Sequence, residues 1–182
     1  MRLTTERSRR TDILAAAERE FGSAGYAGAR MERIADQARV NKQLLFHYFD
    51  SKDGLFLAAL ERLLVRFGVP DGQPTPTEQL RQTVGAVQAA AHAVPGFVAL
   101  LADGEANREF PREAAARLRA WRGGVLERLR SAIEEGQRRG YYRDDIDPTA
   151  VAAVALAAAL GLAALDAEPG LGDILSDYCA WR

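Results

Sequence analysis

Apolar residues recur at spacings of three and four over most of this chain, and short connectors rich in glycine and proline separate the periodic segments. Spacing of this kind is typical of amphipathic helices, whereas a strand would alternate with a period of two. Alanine and leucine, both strong helix formers, fill the long stretches between the connectors. At 182 residues, 48% of them hydrophobic, the chain is long enough to bury a core. The sequence therefore predicts an all-α fold.

Turn and capping residues divide the first 67 residues into four predicted helices. The residues that mark starts and stops are Thr4, Gly22, Gly25, Asn41 and Ser51. The second helix covers residues 31–38, with no clear cap at its start, and the side chain of Asn41 caps the third. The third helix ends at Phe49, so residues 30–49 hold two short helices joined by a tight turn. That arrangement is typical of a helix-turn-helix motif.

The third helix divides into an apolar face and a polar face. If Leu45 and Phe49 pack inward, the face toward solvent holds Lys42, Gln43, Leu44, His47 and Tyr48. Lysine donates well to guanine, glutamine pairs with adenine, and a leucine side chain contacts the thymine methyl group. The alternative is an ordinary solvated helix face, and spacing alone favours that interpretation.

The distribution of charge and cysteine favours an intracellular protein that binds nucleic acid at its N-terminal end. Residues 1–52 carry ten Lys or Arg and seven Asp or Glu, although the whole chain has a net charge of −1. Cys179 is the one cysteine, so no intramolecular disulfide forms. The most apolar run, residues 150–165, is too short to span a bilayer. We expect a cytoplasmic protein without membrane contact.

A connector at residues 68–76, with three prolines and two glycines, is the clearest break in the chain. It predicts a DNA-binding domain over residues 7–67 and a helical domain over residues 68–182. The helices predicted in the second domain run from Thr77 to Ala93, from near Pro95, from Pro111 to Gln137, from Pro148 to Leu165 and from Leu171 to Arg182. Asp147 caps the fourth of these, and the Gly123–Gly124 pair predicts a kink or a close helix contact in the third.

The run from Arg10 to Leu55 resembles the DNA-binding domain of the TetR family of transcriptional regulators. The matching residues are Ile13, Leu14, Ala16, Ala17, Phe21, Gly25, Tyr26, Ile34, Ala35, Ala38, Val40, Lys42, Leu45, Tyr48, Phe49, Ser51, Lys52 and Leu55. This resemblance implies a homodimeric regulator, most often a repressor, that binds an inverted-repeat operator in double-stranded DNA. It implies release of the operator by a small-molecule effector whose identity the sequence does not give.

The resemblance also implies roles for individual side chains. Lys42, Gln43 and Leu44 fall where the family contacts bases, and Phe46, Tyr48 and Lys52 fall where it contacts the backbone; His47 lies on the same face. The chain departs from the family at three places. Ala29 and Arg30 stand where the family usually has two threonines before the second helix. That helix therefore loses a hydroxyl cap, and Arg30 is expected to contact phosphate instead. Arg39 replaces a turn glycine and must adopt a left-handed conformation, and Phe46 replaces a tyrosine.

The C-terminal half resembles the family more loosely, through the segment from Glu134 to Leu162. In the family, the last two long helices pair with those of a second subunit. Small residues at Ala152, Ala155, Ala159 and Gly161 predict such close pairing, and the alternative is that the same alanines pack inside one chain. The candidate effector-pocket residues are His92, Phe97, Leu100, Leu101, Phe110, Leu118, Arg119, Trp121, Leu126 and Tyr141. An apolar residue at helical spacing is more often simply core.

Two other classes of function remain as alternatives. An enzyme finds little support, because His47 and His92 lie in different predicted domains and Asp147 is explained as a helix cap. The acidic run from Asp144 lacks the ligand pattern of a calcium loop, so we expect neither a metal nor another cofactor. A helical protein-interaction adaptor would share the alanine-rich face, but it would not need Lys42 and Gln43 at family positions.

Overall fold

The structure of the chain is a computed structural model that describes residues 2–66, 74–93, 96, 110–164 and 171–180. The described residues form eight helices and no strand. These helices are α1 (Arg2–Gly28), α2 (Met31–Ala38), α3 (Lys42–Phe49), α4 (Lys52–Arg66), α5 (Pro76–Ala93), α6 (Arg112–Arg138), α7 (Pro148–Ala164) and α8 (Leu171–Cys179). The all-α prediction is confirmed. The helix predicted near Pro95 lies outside the described residues.

The described residues fall into two compact units. The N-terminal unit contains α1–α4, Phe110 and α6 through Leu118; the C-terminal unit contains α5, the rest of α6, α7 and α8. Phe110 and the start of α6 follow the predicted boundary at residue 68 in sequence, yet they pack with the N-terminal unit. The boundary itself stays a prediction.

The first helix is interrupted at Gly25, where φ is 68° and ψ is 175°. Glycine adopts this left-handed φ without the steric penalty that a Cβ would cause. The chain passes through Gly22 in helical conformation, so only the second of the two predicted stops is confirmed. The break turns Tyr26 back onto the aromatic side chains of the N-terminal unit.

Helices α1–α4 bury one apolar core. Its largest members are Ile13, Leu14, Phe21, Ile34, Leu45, Phe49, Leu55, Phe56 and Leu60. Each of these side chains contributes about 1.5–3 kcal/mol when it leaves water. This core fixes α2 and α3 against α1 and α4, and so positions the motif at residues 30–49.

The C-terminal unit has a separate core at the contact of α5, α6, α7 and α8. Tyr142 is 2% exposed. Its hydroxyl group donates to Thr77 Oγ1 at 3.1 Å. The ring of Tyr142 lies against Gly136, where an added Cβ would stand 2.1 Å from Tyr142 Cδ2. The predicted cap of α7 is confirmed, because Asp147 Oδ1 accepts from the Thr149 N–H at 2.9 Å.

Two expectations about small residues are wrong. Helix α6 runs without interruption through Gly123 and Gly124, which are exposed, and nothing in the described chain would meet a Cβ at either. Ala152, Ala155 and Ala159 are at most 2% exposed and belong to the unit's own core. Their small side chains allow α7 to pack closely on α5 of the same chain, which is the alternative of internal packing. Gly161, the fourth residue of the set, is exposed, and its role in pairing stays a prediction.

No helix of the described residues is long and apolar enough to cross a membrane.

Candidate nucleic-acid interface

The turn between α2 and α3 is closed by two backbone hydrogen bonds. The Val40 N–H donates to Ala35 O at 3.0 Å, and the Arg39 N–H donates to Asp36 O at 3.1 Å. This pair of bonds is the Schellman motif, which requires a left-handed residue directly after the helix. Arg39 is that residue, with φ 55° and ψ 44°. The predicted left-handed arginine is confirmed.

The start of α3 is held by the side chain of Asn41, whose Oδ1 accepts from the Leu44 N–H at 2.8 Å. Leu45 and Phe49 are 0% and 5% exposed, so they anchor α3 to the core. The opposite side carries exposed Lys42, Gln43, Phe46 and His47, with half-buried Leu44 and Tyr48. The predicted division of α3 into an inward apolar face and an outward polar face is confirmed.

Helix α4 begins close to the end of α3. Ser51 Oγ accepts from the Gly54 N–H at 3.0 Å, which confirms the predicted start. A Cβ on Gly54 would stand 2.2 Å from Phe49 O, so only glycine permits this approach. Lys52 Nζ donates to Ala27 O at 3.3 Å. The first turn of α4 therefore places an ammonium group beside the last turn of α1.

Tyr26 links this first turn of α4 to the aromatic side chains beneath it. Its hydroxyl group donates to Asp53 Oδ1. Lys52 Nζ lies 4.8 Å from the centroid of the Tyr26 ring, within range of a cation–π interaction. The Tyr26 ring lies 5.1 Å from Phe56, and Phe56 lies 4.8 Å from Phe21.

Phe110 completes this aromatic cluster. Its ring centroid lies 6.0 Å from Tyr26 and 5.2 Å from Phe56. Phe110 is 4% exposed and stands two residues before α6 begins. The sequence predicts Phe110 as an effector-pocket residue, and the structure places it in the core that supports α4.

Lys42 forms an ion pair with Glu32 of α2. The hydrogen bond from Lys42 is the main cause of a lowered pKa for Glu32. Both side chains are about half exposed, at 48% for Lys42 and 62% for Glu32. Exposed ion pairs contribute little to stability, so breaking the pair between Lys42 and Glu32 costs little free energy.

Arg30 is the cap residue of α2, with φ −119° and ψ 128°, and its side chain makes no capping hydrogen bond. The expected loss of the hydroxyl cap is therefore confirmed. Instead, the Arg30 N–H donates to Glu20 Oε1 at 3.2 Å. Sequence reasoning missed Glu20. It follows Ala16 and Ala17 at helical spacing on the buried face of α1, and a charged residue at such a position is the signal that would have found it.

The predicted effector-pocket residues have different surroundings. Phe97, Leu100 and Leu101 lie outside the described residues. Leu118 is buried in the N-terminal unit, and Trp121 is partly buried against the C-terminal core. His92 and Tyr141 are exposed. The assignment of these residues to one pocket stays a prediction.

Two short helices joined by a tight turn, the second with an exposed polar face, define a DNA-binding protein of the helix-turn-helix class. Comparison with known families narrows this class. Residues 13–59 match the family described as Bacterial regulatory proteins, tetR family, and residues 76–172 match the Tetracyclin repressor-like, C-terminal domain. The chain belongs to the tetR family and is a DNA-binding transcriptional regulator.

Individual relatives are similar to this chain in sequence or in fold. The chain is 32% identical over 142 residues to the HTH-type transcriptional repressor NicS of Pseudomonas putida, covering 75% of this chain and 67% of NicS. The crystal structure of a HlyIIR mutant superposes with a TM-score of 0.78 at 20% identity, covering 96% of this chain and 97% of that one. AibR, crystallised with isovaleryl coenzyme A and operator DNA, has a TM-score of 0.70 at 22% identity, covering 93% and 95%.

Proposed function

We propose that this regulator is a homodimeric repressor that binds an inverted-repeat operator through α3 and releases it when a small molecule binds the C-terminal domain, residues 68–182. The observation that carries the proposal is the outward face of α3, which is held by a buried apolar face and a side-chain cap. NicS is named a repressor, and AibR was crystallised with both an operator and a small molecule.

The side chains on and beside α3 divide by the DNA groups they reach. Lys42, Gln43 and Leu44 lie in the first turn and are assigned to base edges, and His47 lies one turn further along the same face. Arg30, Phe46, Tyr48 and Lys52 are assigned to the sugar-phosphate backbone. Phosphate contacts fix register and base contacts give sequence preference, so the two groups predict different mutant behaviour.

Exposed apolar side chains of the C-terminal unit support dimerisation. Ile174 and Tyr178, one helical turn apart on α8, are 65% and 59% exposed, and Val154 on α7 is 62% exposed. Large apolar side chains exposed in this way are typical of a surface that another molecule covers. A two-fold dimer presents the same surface from both chains and places two recognition helices in successive major grooves.

A buried polar group in the C-terminal unit supports effector binding. Gln88 on α5 is 6% exposed, and its Nε2 has no hydrogen-bond partner in the described part of the chain. A buried donor without a partner costs about 1–3 kcal/mol. An effector with a carbonyl, carboxylate or hydroxyl oxygen would satisfy it. Sequence reasoning missed Gln88, although it follows Leu80 and Val84 at the helical spacing of four, which marks a polar residue on the buried face of α5.

Phe110 supports a coupling between effector and DNA. Helix α6 contributes its first turns to the N-terminal unit and the remainder to the C-terminal unit. Movement of α6 would displace Phe110 from Tyr26 and Phe56, and Tyr26 holds Asp53 and Lys52 at the start of α4. An effector that favours the displaced state lowers operator affinity by its difference in affinity for the two states.

Selection of bound duplexes from a random pool tests the proposed DNA recognition. The expected winner is an inverted repeat with half-site centres about 10 base pairs apart, or a multiple of this spacing. Lys52→Ala should weaken binding to every duplex and reduce the salt slope by about one. Exposed Arg138→Ala, in the last turn of α6, is the matched control and should leave the slope unchanged. If no duplex is enriched from the pool, the alternative that the protein is a helical protein-interaction adaptor is favoured.

A second experiment tests the effector. Compounds that raise the melting temperature are added to the protein bound to the selected duplex, and release is followed by fluorescence anisotropy. A compound that stabilises the wild type but not Gln88→Leu, and that releases the duplex, supports the proposal. Compounds that stabilise both proteins equally would remove Gln88 from the site.

A further inference from the structure

Glu20 on α1 is a buried carboxylate in contact with one face of α2. It is 3% exposed. Its Oε1 accepts from the Arg30 N–H at 3.2 Å and lies 3.7 Å from Arg33 Nη1; its Oε2 accepts from Gln37 Nε2 at 3.3 Å. Residues 30, 33 and 37 follow the helical spacing of three and four, so they form one stripe along α2. One carboxylate therefore holds α2 from its cap residue to its last turn.

These contacts replace a cap that α2 lacks. In a capping box, a carboxylate at the third helical position accepts from the N–H of the cap residue. Here the cap residue is Arg30 and the third helical position is Arg33, which carries no acceptor. Glu20 supplies the missing acceptor from another helix, and its negative charge lies at the positive end of the α2 dipole.

Because Glu20 carries a charge, its burial is not explained by the filling of space in the core. Burial of an ionised carboxylate is unfavourable unless hydrogen bonds and a counter-charge offset it. The three partners of Glu20 all belong to α2, which carries α3 through the turn at Arg39. The position of α3 thus depends on how firmly α2 is held at this point.

We propose that Glu20 is a positioning residue for DNA recognition, which caps α2 from α1 and thereby sets the placement of α3 on the operator. The inference rests on the proposed reading of DNA by α3. It assigns to α1 a role in DNA affinity that requires no contact between Glu20 and DNA. Arg30 takes part in the same arrangement. Glu20 holds the backbone N–H of Arg30, and the exposed side chain of Arg30 can approach phosphate.

The test compares Glu20→Leu in the wild-type background and in an Arg30→Thr background, using the duplex that wild-type protein selects from a random pool. Threonine at position 30 can accept from an N–H of the first turn and so restores a cap within α2. We expect Glu20→Leu to lower affinity about tenfold in the wild-type background, because the start of α2 then has neither a side-chain cap nor a carboxylate at its positive end. In the Arg30→Thr background the same change should cost less than about threefold.

Hydrogen exchange gives a second readout that a general loss of stability would not reproduce. Glu20→Leu should speed exchange of the amides of residues 30–34 and leave those of α4 unchanged. Glu18→Leu is the matched control, since Glu18 stands two residues earlier and its Oε1 lies 3.6 Å from Arg62 Nε on α4. This control should keep DNA affinity within about twofold of wild type, as expected for a carboxylate that is paired with α4.

Each outcome decides for or against the inference. Equal losses from Glu20→Leu in both backgrounds, or faster exchange in α2 and α4 alike, would overturn it. If Glu20→Leu does not fold, Glu20→Gln replaces it. Its amide oxygen still accepts from the Arg30 N–H, so affinity should fall less than about threefold, and a tenfold loss would overturn the inference. Wild-type protein that selects no duplex would refute the proposed function instead.

Discussion

Arg39→Gly should stabilise the protein, although it removes a charged side chain. Arg39 occupies the left-handed position of the Schellman turn, with φ 55° and ψ 44°. A side chain in this conformation costs about 1–2 kcal/mol, because Cβ approaches the following carbonyl oxygen. Glycine removes that cost, but its greater freedom in the unfolded chain costs about 0.5–1 kcal/mol.

The difference between the middle values of these two ranges predicts a gain of about 0.75 kcal/mol from Arg39→Gly. For a chain of this length, that gain raises the melting temperature by about 1–4 °C. Thermal unfolding followed by circular dichroism measures the shift, and urea unfolding gives the free energy directly.

Arg39→Ala is the matched control, since it removes the same charge but keeps Cβ in the left-handed turn. It should change stability by less than about 0.5 kcal/mol, as is usual at an exposed position. If the glycine and alanine variants have the same melting temperature, backbone strain is not the source of the effect. A glycine variant less stable than wild type would refute the reasoning.

Three further substitutions test other parts of the structure. Asn41→Ala removes the cap of α3 and should cost about 1 kcal/mol in urea unfolding, whereas Asn41→Ser should recover most of it. Gly136→Ala places a methyl group against the Tyr142 ring and should destabilise the protein by about 1–3 kcal/mol, despite the better helix propensity of alanine. A further Tyr142→Leu change that restores stability would confirm the clash, and an unchanged urea midpoint for Gly136→Ala would exclude it. Ile174→Asp with Tyr178→Asp should convert the proposed dimer to monomer in analytical ultracentrifugation, and a dimer that persists would place the interface elsewhere.

Local side-chain chemistry made part of this fold predictable. Asn41, Ser51 and Asp147 each bond a backbone N–H two or three residues ahead, so the signal for these caps lies within a few residues of sequence. The inward positions of Leu45 and Phe49 follow from helical spacing alone. These features place the motif, and the polar face of α3 follows from them.

Contacts distant in sequence were not predictable in the same way. The partners of Glu20 lie ten to seventeen residues further along the chain, so its role as a cap appears only once α1 and α2 are packed together. Small residues such as Ala155 indicate close helix packing but do not indicate whether the partner helix belongs to the same chain. Phe110 shows the same limit, because an apolar residue between helices does not reveal which core it enters.

Matched affinities of wild type and Gln43→Ala for two duplexes test most directly whether α3 reads bases. The duplexes are the one selected by wild type and a scrambled duplex of equal length and composition, measured by fluorescence anisotropy at one salt concentration. Gln43→Ala should lose about 1–3 kcal/mol on the selected duplex, or about 5- to 150-fold in Kd, and almost nothing on the scrambled one. An equal loss on both, or no loss on either, would contradict base recognition by this face of α3.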